Sequence, residues 1–280
     1  MGVAVPDHQA PAPPVHGAAV RSDHLLAAVG LACGYGGHAV LRDVDLIVER
    51  GESVALLGRT GCGKSTLLRC LAGVLAPLDG AVRLQGVPLA SMQRRQIART
   101  LAVVAQETLV PFAFSVREVV ELGRVPYARF LGFPDADDRR AVDTALATTD
   151  LGALADRPYH RTSGGEQQRG AVAMGLAQEP ALLLLDEPTV HLDIAHQMSV
   201  LGLMRRLCRT QGLGALAAMH DINLACLYFD RLLVLGEGTV LASGTPHEIL
   251  SPALIERAFG TRVAVGRHPV LDIPQVSLLP

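Results

Sequence analysis

The pattern of apolar and polar positions divides the first part of the chain into strand-like and helix-like stretches. Residues 25–32 form an apolar run, residues 40–48 alternate between apolar and polar side chains, and residues 53–57 are continuously apolar. Alternation is typical of a half-buried strand, and a short continuous run is typical of a fully buried one. Beyond a glycine-rich loop, residues 66–73 have helical apolar spacing and end at a glycine, and a hairpin-like stretch follows at residues 82–84.

Charged side chains dominate the next stretch, and core-like apolar runs return after it. Residues 91–156 have the composition of solvated helix faces, which predicts a helical segment inserted into a core of strands and helices. Beyond this segment the pattern predicts helices at residues 165–178 and 194–209, strands at 182–186 and 214–219, and a hairpin from 232–235 to 239–242. Because strands and helices alternate, we expect a largely parallel sheet covered on both faces, which makes the fold class α/β.

Length and local composition predict one large domain with a built-in subdomain. With 280 residues, the chain is long enough for a core domain, which we assign to residues 25–255, with a helical subdomain at about residues 91–160. Residues 1–24 are rich in proline and lack the basic start and apolar centre of a signal peptide, which predicts a disordered tail. Residues 256–280 are assigned to a C-terminal extension, in which alternating stretches at residues 262–265 and 270–273 suggest a small hairpin.

Charge, cysteine usage and hydropathy restrict the class of partner. The formal net charge is −2, so the chain has no global basic field, which argues against nucleic acid as a partner. The five cysteines are scattered and form no CxxC pair, which favours a reducing cytoplasm over a secreted disulfide framework. No apolar run approaches the roughly 20 residues that a membrane helix needs.

A glycine-rich segment between a predicted buried strand and a predicted helix has the pattern G-x-x-x-x-G-K-S. Its residues are Gly58, Arg59, Thr60, Gly61, Cys62, Gly63, Lys64, Ser65 and Thr66. Glycines allow backbone N–H groups to turn toward an anion, and the N-terminus of the next helix adds its positive dipole end. We expect Lys64 to bridge the outer phosphates of a nucleotide and Ser65 to hold Mg²⁺. A glycine-rich turn without a ligand is the weaker interpretation, because the lysine and the serine have the required spacing.

Two carboxylates follow the apolar run that ends at residue 185. This placement predicts that Asp186 lies near the metal ion and that Glu187 polarises the attacking water as a general base. An apolar run that ends in Asp-Glu could by itself form only a salt bridge at a sheet edge. Its position downstream of the glycine-rich loop, with Pro188 and Thr189 next, favours the catalytic interpretation.

A third segment opens the helix predicted at residues 165–178, and its first four residues are Ser163, Gly164, Gly165 and Glu166. Alone it could be a helix cap with an acidic first turn. Followed by Gln-Gln-Arg, however, it resembles the signature sequence of ABC transporter ATPases. In that family the amides of the serine and the glycines contact the γ-phosphate held by the opposite subunit. The resemblance implies a P-loop NTPase core with an antiparallel β subdomain and an inserted helical subdomain, and ATP and Mg²⁺ as its ligands.

The same resemblance assigns roles to four further residues. Gln106 matches the glutamine that senses Mg²⁺ and the attacking water, and His220 matches the switch histidine that contacts the γ-phosphate. Asp193 matches the loop through which two subunits touch, and Tyr35 matches the aromatic side chain that stacks on adenine. The alternatives are an exposed glutamine after a strand, a structural histidine, and a tyrosine that only packs at the end of a strand.

Within the family, residues 119–124, 191–193 and 219–225 look most like an importer branch that serves iron–siderophore, haem and vitamin B12 uptake. This likeness implies a homodimer at the cytoplasmic face of the cell membrane, bound to a permease that receives substrate from a periplasmic or lipoprotein binding protein. Residues 108–116 are then candidates for gripping the permease through Phe112 and Phe114. Those two side chains could equally belong to the core of the helical subdomain.

A few positions depart from the family pattern. Thr162 stands where an apolar residue usually precedes the signature serine, Arg59 and Thr60 stand where Pro-Asn is frequent, and Val190 replaces a small polar residue. We expect activity to survive, because the signature serine and glycines are kept. Cys62 lies among the proposed phosphate-binding amides, where it is either a small tolerated residue or a thiol activated by a helix N-terminus.

Other functions within the same resemblance stay open. One is an ABC ATPase that works in translation or DNA maintenance, and another is an importer ATPase for a different class of substrate. ATPases of the first kind usually carry two cassettes in one chain or a long coiled coil between the positions of Gln106 and Ser163, and no heptads occur there. The signature segment argues against a small-molecule P-loop kinase.

Overall fold

The computed structural model of the protein describes residues 24–106, 114–128 and 134–280. The predicted tail at residues 1–24 therefore lies outside the described residues, except for His24. Most of the predicted docking segment at residues 108–116 lies outside them as well, including Phe112.

Strands and helices alternate through the described chain, which confirms the α/β class. The strands are β1 (Leu26–Tyr35), β2 (His38–Val48), β3 (Ser53–Leu57), β4 (Asp79–Leu84), β5 (Val87–Pro88), β6 (Leu101–Val104), β7 (Leu182–Asp186), β8 (Gly214–Ala218), β9 (Arg231–Gly236), β10 (Thr239–Gly244), β11 (Val263–Arg267) and β12 (Pro274–Leu278). The α-helices are α1 (Lys64–Leu71), α2 (Arg94–Thr100), α3 (Val116–Glu121), α4 (Ala136–Thr148), α5 (Gly164–Ala177), α6 (Ile194–Gln211), α7 (Ile222–Tyr228), α8 (Pro246–Ile249) and α9 (Pro252–Phe259).

Six of the described strands form the main sheet, in the order β10-β9-β3-β8-β7-β6. Neighbouring strands from β9 to β6 pair in parallel, and β10 pairs antiparallel with β9. The register places Leu56 of β3 opposite Ala218 of β8. Every residue of β3 and β8 is buried, because helices or a second sheet cover both faces of these central strands. This burial explains why both strands are continuously apolar in the sequence.

A smaller antiparallel sheet, in the order β2-β1-β4-β5, covers one face of the main sheet. Helix α1 lies between the two sheets, since its Leu67 and Leu71 share a core with Leu26 of β1 and Leu56 of β3. Helices α5, α6, α7 and α9 pack against the opposite face, where the next residue of β3, Leu57, lies. Successive side chains of a strand point to opposite faces, so β3 contributes to both cores.

A third, smaller core holds the helical region together. It is formed by α3, α4 and the C-terminal half of α5, with Val119, Val142 and Ala173 among its buried residues. Phe114 packs against this core, so the structure favours the core interpretation for that phenylalanine. The helical segment predicted from residue 91 onward is interrupted by strand β6, which pairs with β7 at the edge of the main sheet. A four-residue strand between charged helices is too short for its periodicity to be detected.

The C-terminal residues form a helix and a hairpin. Helix α9 buries Leu254 and Ala258 against the main core, and it continues across the domain boundary assigned after residue 255. Strands β11 and β12 then pair antiparallel, which confirms a small hairpin. The position expected for its second strand was wrong, because the alternating stretch at residues 270–273 lies in the connection and the strand forms at Pro274–Leu278.

Candidate functional site

The carboxyl ends of four neighbouring parallel strands meet at one edge of the main sheet. β3 leads into Gly58, β7 ends at Asp186, β8 leads into the loop with His220, and β6 leads into the loop with Gln106. The sheet order makes these four ends adjacent. Open parallel sheets bind their ligands at this edge, outside the carboxyl ends of the strands. The fold thus brings the predicted catalytic residues from four distant parts of the sequence to one place.

The loop after β3 needs glycines for its shape. Gly58, Gly61 and Gly63 have φ angles of 154°, 81° and 108°, which residues with a side chain rarely adopt. A side-chain carbon on Gly58 would also lie 2.6 Å from Cys62 Sγ and 2.8 Å from the carbonyl oxygen of Leu235. Gly63 is the N-cap residue of α1, and no described side chain caps this helix. The first N–H groups of α1 are therefore open to an anion.

Lys64, the first residue of α1, lies beneath this loop. It is only 4% exposed, and its Nζ donates hydrogen bonds to the carbonyl oxygens of Gly58 at 2.9 Å and Arg59 at 3.4 Å. A buried ammonium group is costly unless it is hydrogen-bonded, and the loop carbonyls offset part of this cost. It is also the only lysine in the sequence. The loop therefore encloses one positive charge among backbone groups that suit a phosphate chain.

Ser65 and Asp186 connect the start of α1 to the end of β7. Ser65 Oγ donates a hydrogen bond to Asp186 Oδ1 at 3.0 Å. Burial raises the pKa of Asp186, the hydrogen bond from Ser65 acts in the opposite direction, and the charge of Glu187 adds to the increase. The described residues contain no cluster of three or more His, Cys, Asp or Glu side chains that could hold a metal ion. A cation at Ser65 and Asp186 would therefore need further oxygen ligands from phosphates and water.

Glu187 turns away from β7 with a strained backbone and meets His220. Its φ angle is 53°, in the left-handed region, which costs on the order of 1 kcal/mol for such a residue. Its backbone N–H donates to the carbonyl oxygen of Ala218 at 3.2 Å, so the turn is held against the end of β8. Its Oε1 lies 2.5 Å from His220 Nε2, and the glutamate and histidine side chains are 15% and 39% exposed. The backbone thus directs a carboxylate toward the neighbouring strand end, where a histidine holds it.

The signature segment forms the N-terminus of α5. Ser163 is the N-cap residue, and its hydroxyl accepts a hydrogen bond from the backbone N–H of Glu166 at 3.3 Å. Glu166 Oε2 accepts the backbone N–H of Ser163 at 2.7 Å, which completes a capping box. This hydrogen bond from the Ser163 backbone lowers the pKa of Glu166. Within the described part of the chain, no hydrogen bond or ion pair connects this segment to Lys64, Ser65 or Glu187.

The hydroxyl group of Thr162 is hydrogen-bonded within the turn that precedes the signature segment. The residue is 9% exposed, and its Oγ1 donates a hydrogen bond to the carbonyl oxygen of Tyr159 at 2.7 Å. Gln167 Nε2 donates to the carbonyl oxygens of Tyr159 and Thr162, both at 3.3 Å. Because its hydroxyl is satisfied within the preceding turn, the threonine fits a position where family members carry an apolar residue.

His196 is a residue that the sequence reasoning missed. It lies in the first turn of α6, where its Nδ1 and backbone N–H contact Asp193 Oδ1 at 2.8 and 2.9 Å. Its ring also presses on the signature helix, since a side-chain carbon on Gly165 would lie 2.0 Å from His196 Cδ2. The Asp193 loop and the signature segment of one chain are therefore in contact. Only the space left by a glycine allows this contact, and no local motif indicates it.

The remaining predicted site residues lie around this edge. Tyr35 ends β1, is 47% exposed, and its hydroxyl accepts a hydrogen bond from Arg69 Nη1 of α1 at 2.9 Å. Cys62 is half-buried, and its backbone N–H donates to the carbonyl oxygen of Arg59 at 3.1 Å. Arg59 and Thr60 are exposed on the loop. The backbone N–H of Val190 donates to the carbonyl oxygen of Glu187 at 3.3 Å, which stabilises the turn after β7.

Comparisons with known proteins agree on one family. A family model described as ABC transporter matches residues 41–190. The chain is 39% identical over 246 residues to the ferric enterobactin transport ATP-binding protein FepC of Escherichia coli K12, covering 88% of this chain and 91% of that protein.

Two solved structures are similar to this chain. One is a transporter assigned to the metal-chelate type of ABC transporters, in an inward-facing conformation, with a TM-score of 0.81 and 27% identity, covering 92% of this chain and 98% of that chain. The other is a dimeric bacterial ABC transporter cassette, with a TM-score of 0.69 and 26% identity, covering 79% of this chain and 98% of that chain.

Proposed function

The chain belongs to the ABC transporter family, and we propose that it is the ATP-hydrolysing subunit of an importer for iron chelates of the siderophore type. Family membership makes it an ATP-binding ATPase. The observation that carries the catalytic assignment is the meeting of Lys64, Ser65, Asp186, Glu187 and His220 at one sheet edge.

In the proposed mechanism, the loop amides and Lys64 hold the phosphates of ATP, and Tyr35 stacks on adenine. Glu187 accepts the proton of the water that attacks the γ-phosphate. His220 orients this carboxylate through its Nε2 contact and reaches the γ-phosphate. Gln106, at the end of β6, positions the attacking water from the other side of Asp186.

Mg²⁺ is the proposed second ligand of the site. The Ser65 hydroxyl and the Asp186 carboxylate lie 3.0 Å apart, and Mg²⁺ typically uses one or two such protein oxygens together with phosphate and water oxygens. When bound, the ion would neutralise charge on the outer phosphates of ATP. The residues present fit this role, since an oxygen-only donor pair suits a hard cation.

A second copy of the chain is proposed to complete each ATP site. The open N-terminus of α1 supplies one set of phosphate ligands, and nothing in the described fold brings the capped N-terminus of α5 to it. Two copies related by a two-fold axis could each place Ser163, Gly164 and Gly165 over the ATP held by the other copy, with Asp193 near the contact. The likeness to a dimeric cassette supports this arrangement.

The partner and the cargo follow from the relatives. FepC is by name a ferric enterobactin transport protein, and the similar solved structure is of the metal-chelate type. No helix within the described residues is long and apolar enough to cross a membrane. On the likeness to these transport proteins, we propose that the chain binds, at the cytoplasmic face of the membrane, a permease that receives its iron chelate from a binding protein. The net charge of −2 gives no reason to expect nucleic acid.

Replacing Glu187 by Gln tests the catalytic assignment. The variant keeps the size of the side chain but removes the base, so we expect ATP turnover to fall by about 10²–10⁴-fold. ATP binding and ATP-dependent dimerisation should persist, as measured by nucleotide titration and size-exclusion chromatography. Retained hydrolysis would falsify the role of Glu187.

Glu237→Gln is the matched control for that variant. Glu237 has the same φ angle of 53° and also has a close side-chain partner, Arg257 at 2.5 Å, but it lies in the turn between β9 and β10. We expect this variant to hydrolyse ATP at the wild-type rate. Equal losses in both variants would indicate a general effect of the substitution on the fold.

Association with a permease tests the cellular role. The chain should co-purify with a detergent-solubilised permease of an iron-chelate importer, and its ATPase rate should rise when the loaded binding protein is added. Co-purification with ribosomes or DNA instead would indicate the alternative class of ABC ATPase.

A further inference from the structure

The C-terminal hairpin contacts the helix that follows His220. Strand β12 packs along α7, which begins two residues after that histidine. The hairpin has no place in the proposed chemistry, and its first strand begins after α9 has already completed the main core. The contact therefore needs an explanation other than burial of the core.

Asn223 makes this contact as if it were a residue of a third strand. Its Nδ2 donates to the carbonyl oxygen of Val276 at 3.0 Å, and its Oδ1 accepts the backbone N–H of Val276 at 2.8 Å. Both the N–H and the carbonyl group of Val276 are hydrogen-bonded to Asn223, so they point away from the partner strand β11. A side-chain amide that pairs with both groups of one residue fixes position and direction together.

The segment between β8 and α7 is otherwise held mainly from the sheet. The backbone N–H of Met219 donates to the carbonyl oxygen of Leu56 at 2.9 Å, which fixes the chain just before His220. After His220, Asp221 caps α7 by accepting the N–H of Leu224 at 2.9 Å, a contact within the helix itself. Ile222 and Leu224 of the first turn of α7 pack on the main core, and Asn223 ties the same turn to the hairpin by hydrogen bonds.

Other contacts fix the hairpin relative to the core. His247 Nε2 of α8 lies 2.9 Å from the carbonyl oxygen of Asp272, in the connection between β11 and β12. The end of α9 reaches the phosphate loop, because a side-chain carbon on Gly260 would lie 3.9 Å from Arg59 Nη1. The C-terminal segment is therefore held independently of α7 and can serve as a fixed support for it.

We propose that Asn223 is a positioning residue, which uses the C-terminal hairpin as a support to hold His220 against Glu187. This inference rests on the proposed function, because it assigns Asn223 to the same hydrolytic reaction. The two hydrogen bonds hold the first turn of α7, Asp221 connects this turn to His220, and His220 holds the base through Nε2. Without the support, α7 keeps its cap and its packing on the main core, but its first turn loses the hydrogen bonds that fix its position along the hairpin.

Asn223→Ala in the full-length protein tests this role. We expect kcat for ATP hydrolysis to fall about tenfold, since the two hydrogen bonds that fix the first turn of α7 next to the histidine are lost, while KM for ATP stays within about twofold. The pair is exposed, so the thermal midpoint should change little. An unchanged kcat would overturn the proposal. A fall in kcat together with a clear drop in the thermal midpoint would also overturn it, because it would indicate general destabilisation.

Val276→Pro weakens the same contact from the other partner. Proline lacks the N–H that Asn223 accepts but keeps the carbonyl oxygen, so one of the two hydrogen bonds is lost, and an outward-facing position of a hairpin tolerates proline. The variant should lose part of the kcat that Asn223→Ala loses, and the double variant should lose no more than Asn223→Ala alone. Additive losses would show that the two residues act separately, which contradicts the proposal. This arm also decides the question if the alanine variant does not fold.

Arg267→Ala is the control for a general disturbance of the hairpin. It removes the exposed ion pair of 3.8 Å with Asp272 inside the hairpin but leaves the His247 contact and the pairing of Asn223 with Val276 in place. Its kcat should equal that of the wild type, and a tenfold loss in this variant would contradict a specific role of Asn223. Wild type and Glu187→Gln belong in the same assay, because a wild type without ATPase activity contradicts the proposed function itself. An active wild type with a fully active Asn223→Ala contradicts only this inference.

Discussion

The N-termini of α1 and α5 are both proposed to contact phosphate, but the structure prepares them differently. Helix α1 starts after Gly63, without a side-chain cap among the described residues, and its first residue is the buried Lys64. Helix α5 starts after Ser163, whose hydroxyl and backbone N–H are both bonded to Glu166. One terminus is open and carries a cation, whereas the other is capped by its own carboxylate.

This difference suggests that α1 binds the nucleotide, whereas α5 completes the site for hydrolysis after the nucleotide is bound. The lowered pKa of Glu166 keeps it ionised at neutral pH, so its charge opposes a free anion at the start of α5. The N-terminus of α5 therefore suits a phosphate whose charge is already neutralised by Lys64 and Mg²⁺ at the other half of the site. We expect defects at α1 to abolish nucleotide binding and defects at α5 to block hydrolysis after binding.

The largest expected effect is that of Lys64→Ala. Loss of the buried ammonium group removes the only cation enclosed by the described loop, and we expect ATP affinity to fall by about 10²-fold or more in a fluorescence titration. Lys64→Arg should restore little, because the planar guanidinium does not fit a slot that holds a compact ammonium group. Near-normal affinity in either variant would contradict the proposed division of roles.

Mixing two inactive variants tests the comparison directly. Ser163→Ala should bind ATP but hydrolyse little, and Lys64→Ala should do neither. In a mixed dimer one site has both defects, and the other combines an intact Lys64 with an intact Ser163. Equal mixing should therefore restore about a quarter of the wild-type ATPase rate, if both sites act independently in a two-fold dimer. No recovery would indicate that each chain uses its own signature segment.

Gly165→Ala should destabilise the signature end by about 1–3 kcal/mol, because the new methyl group collides with the His196 ring. Thermal unfolding measures this loss, and adding His196→Ala should recover part of it. Gly164→Ala is the matched control, since a side-chain carbon there meets no described atom within 4 Å. If the two single variants are equally stable, the contact between His196 and Gly165 does not constrain the helix.

The smallest effect is expected for Thr162→Val, which keeps the shape but removes the hydrogen bond to Tyr159. Loss of a buried hydrogen bond of this kind costs about 1 kcal/mol in the free energy of unfolding. Thr148→Val removes a similar bond of 2.7 Å on an exposed helix face and should cost less. Chemical denaturation of both variants measures the difference. A larger loss for Thr148 would contradict the importance of burial.

Several elements of the fold could be predicted because their signals are local. The strands predicted at residues 53–57 and 182–186 coincide with β3 and β7, since strands buried on both faces are continuously apolar. The residues that follow these strands were found by spacing alone, and their catalytic roles stay predictions. Strand β6 and helices α7, α8 and α9 were not predicted, because they are short and their apolar faces are defined only by packing.

The sequence by itself determined which residues could act on a phosphate, because a glycine loop, a lysine and paired carboxylates follow apolar strands at fixed spacing. Only the tertiary structure decided what supports them. The contact of His196 with Gly165 and the pairing of Asn223 with Val276 join residues that are far apart in the chain. Such contacts depend on how elements pack, and no local pattern of apolar and polar residues encodes them.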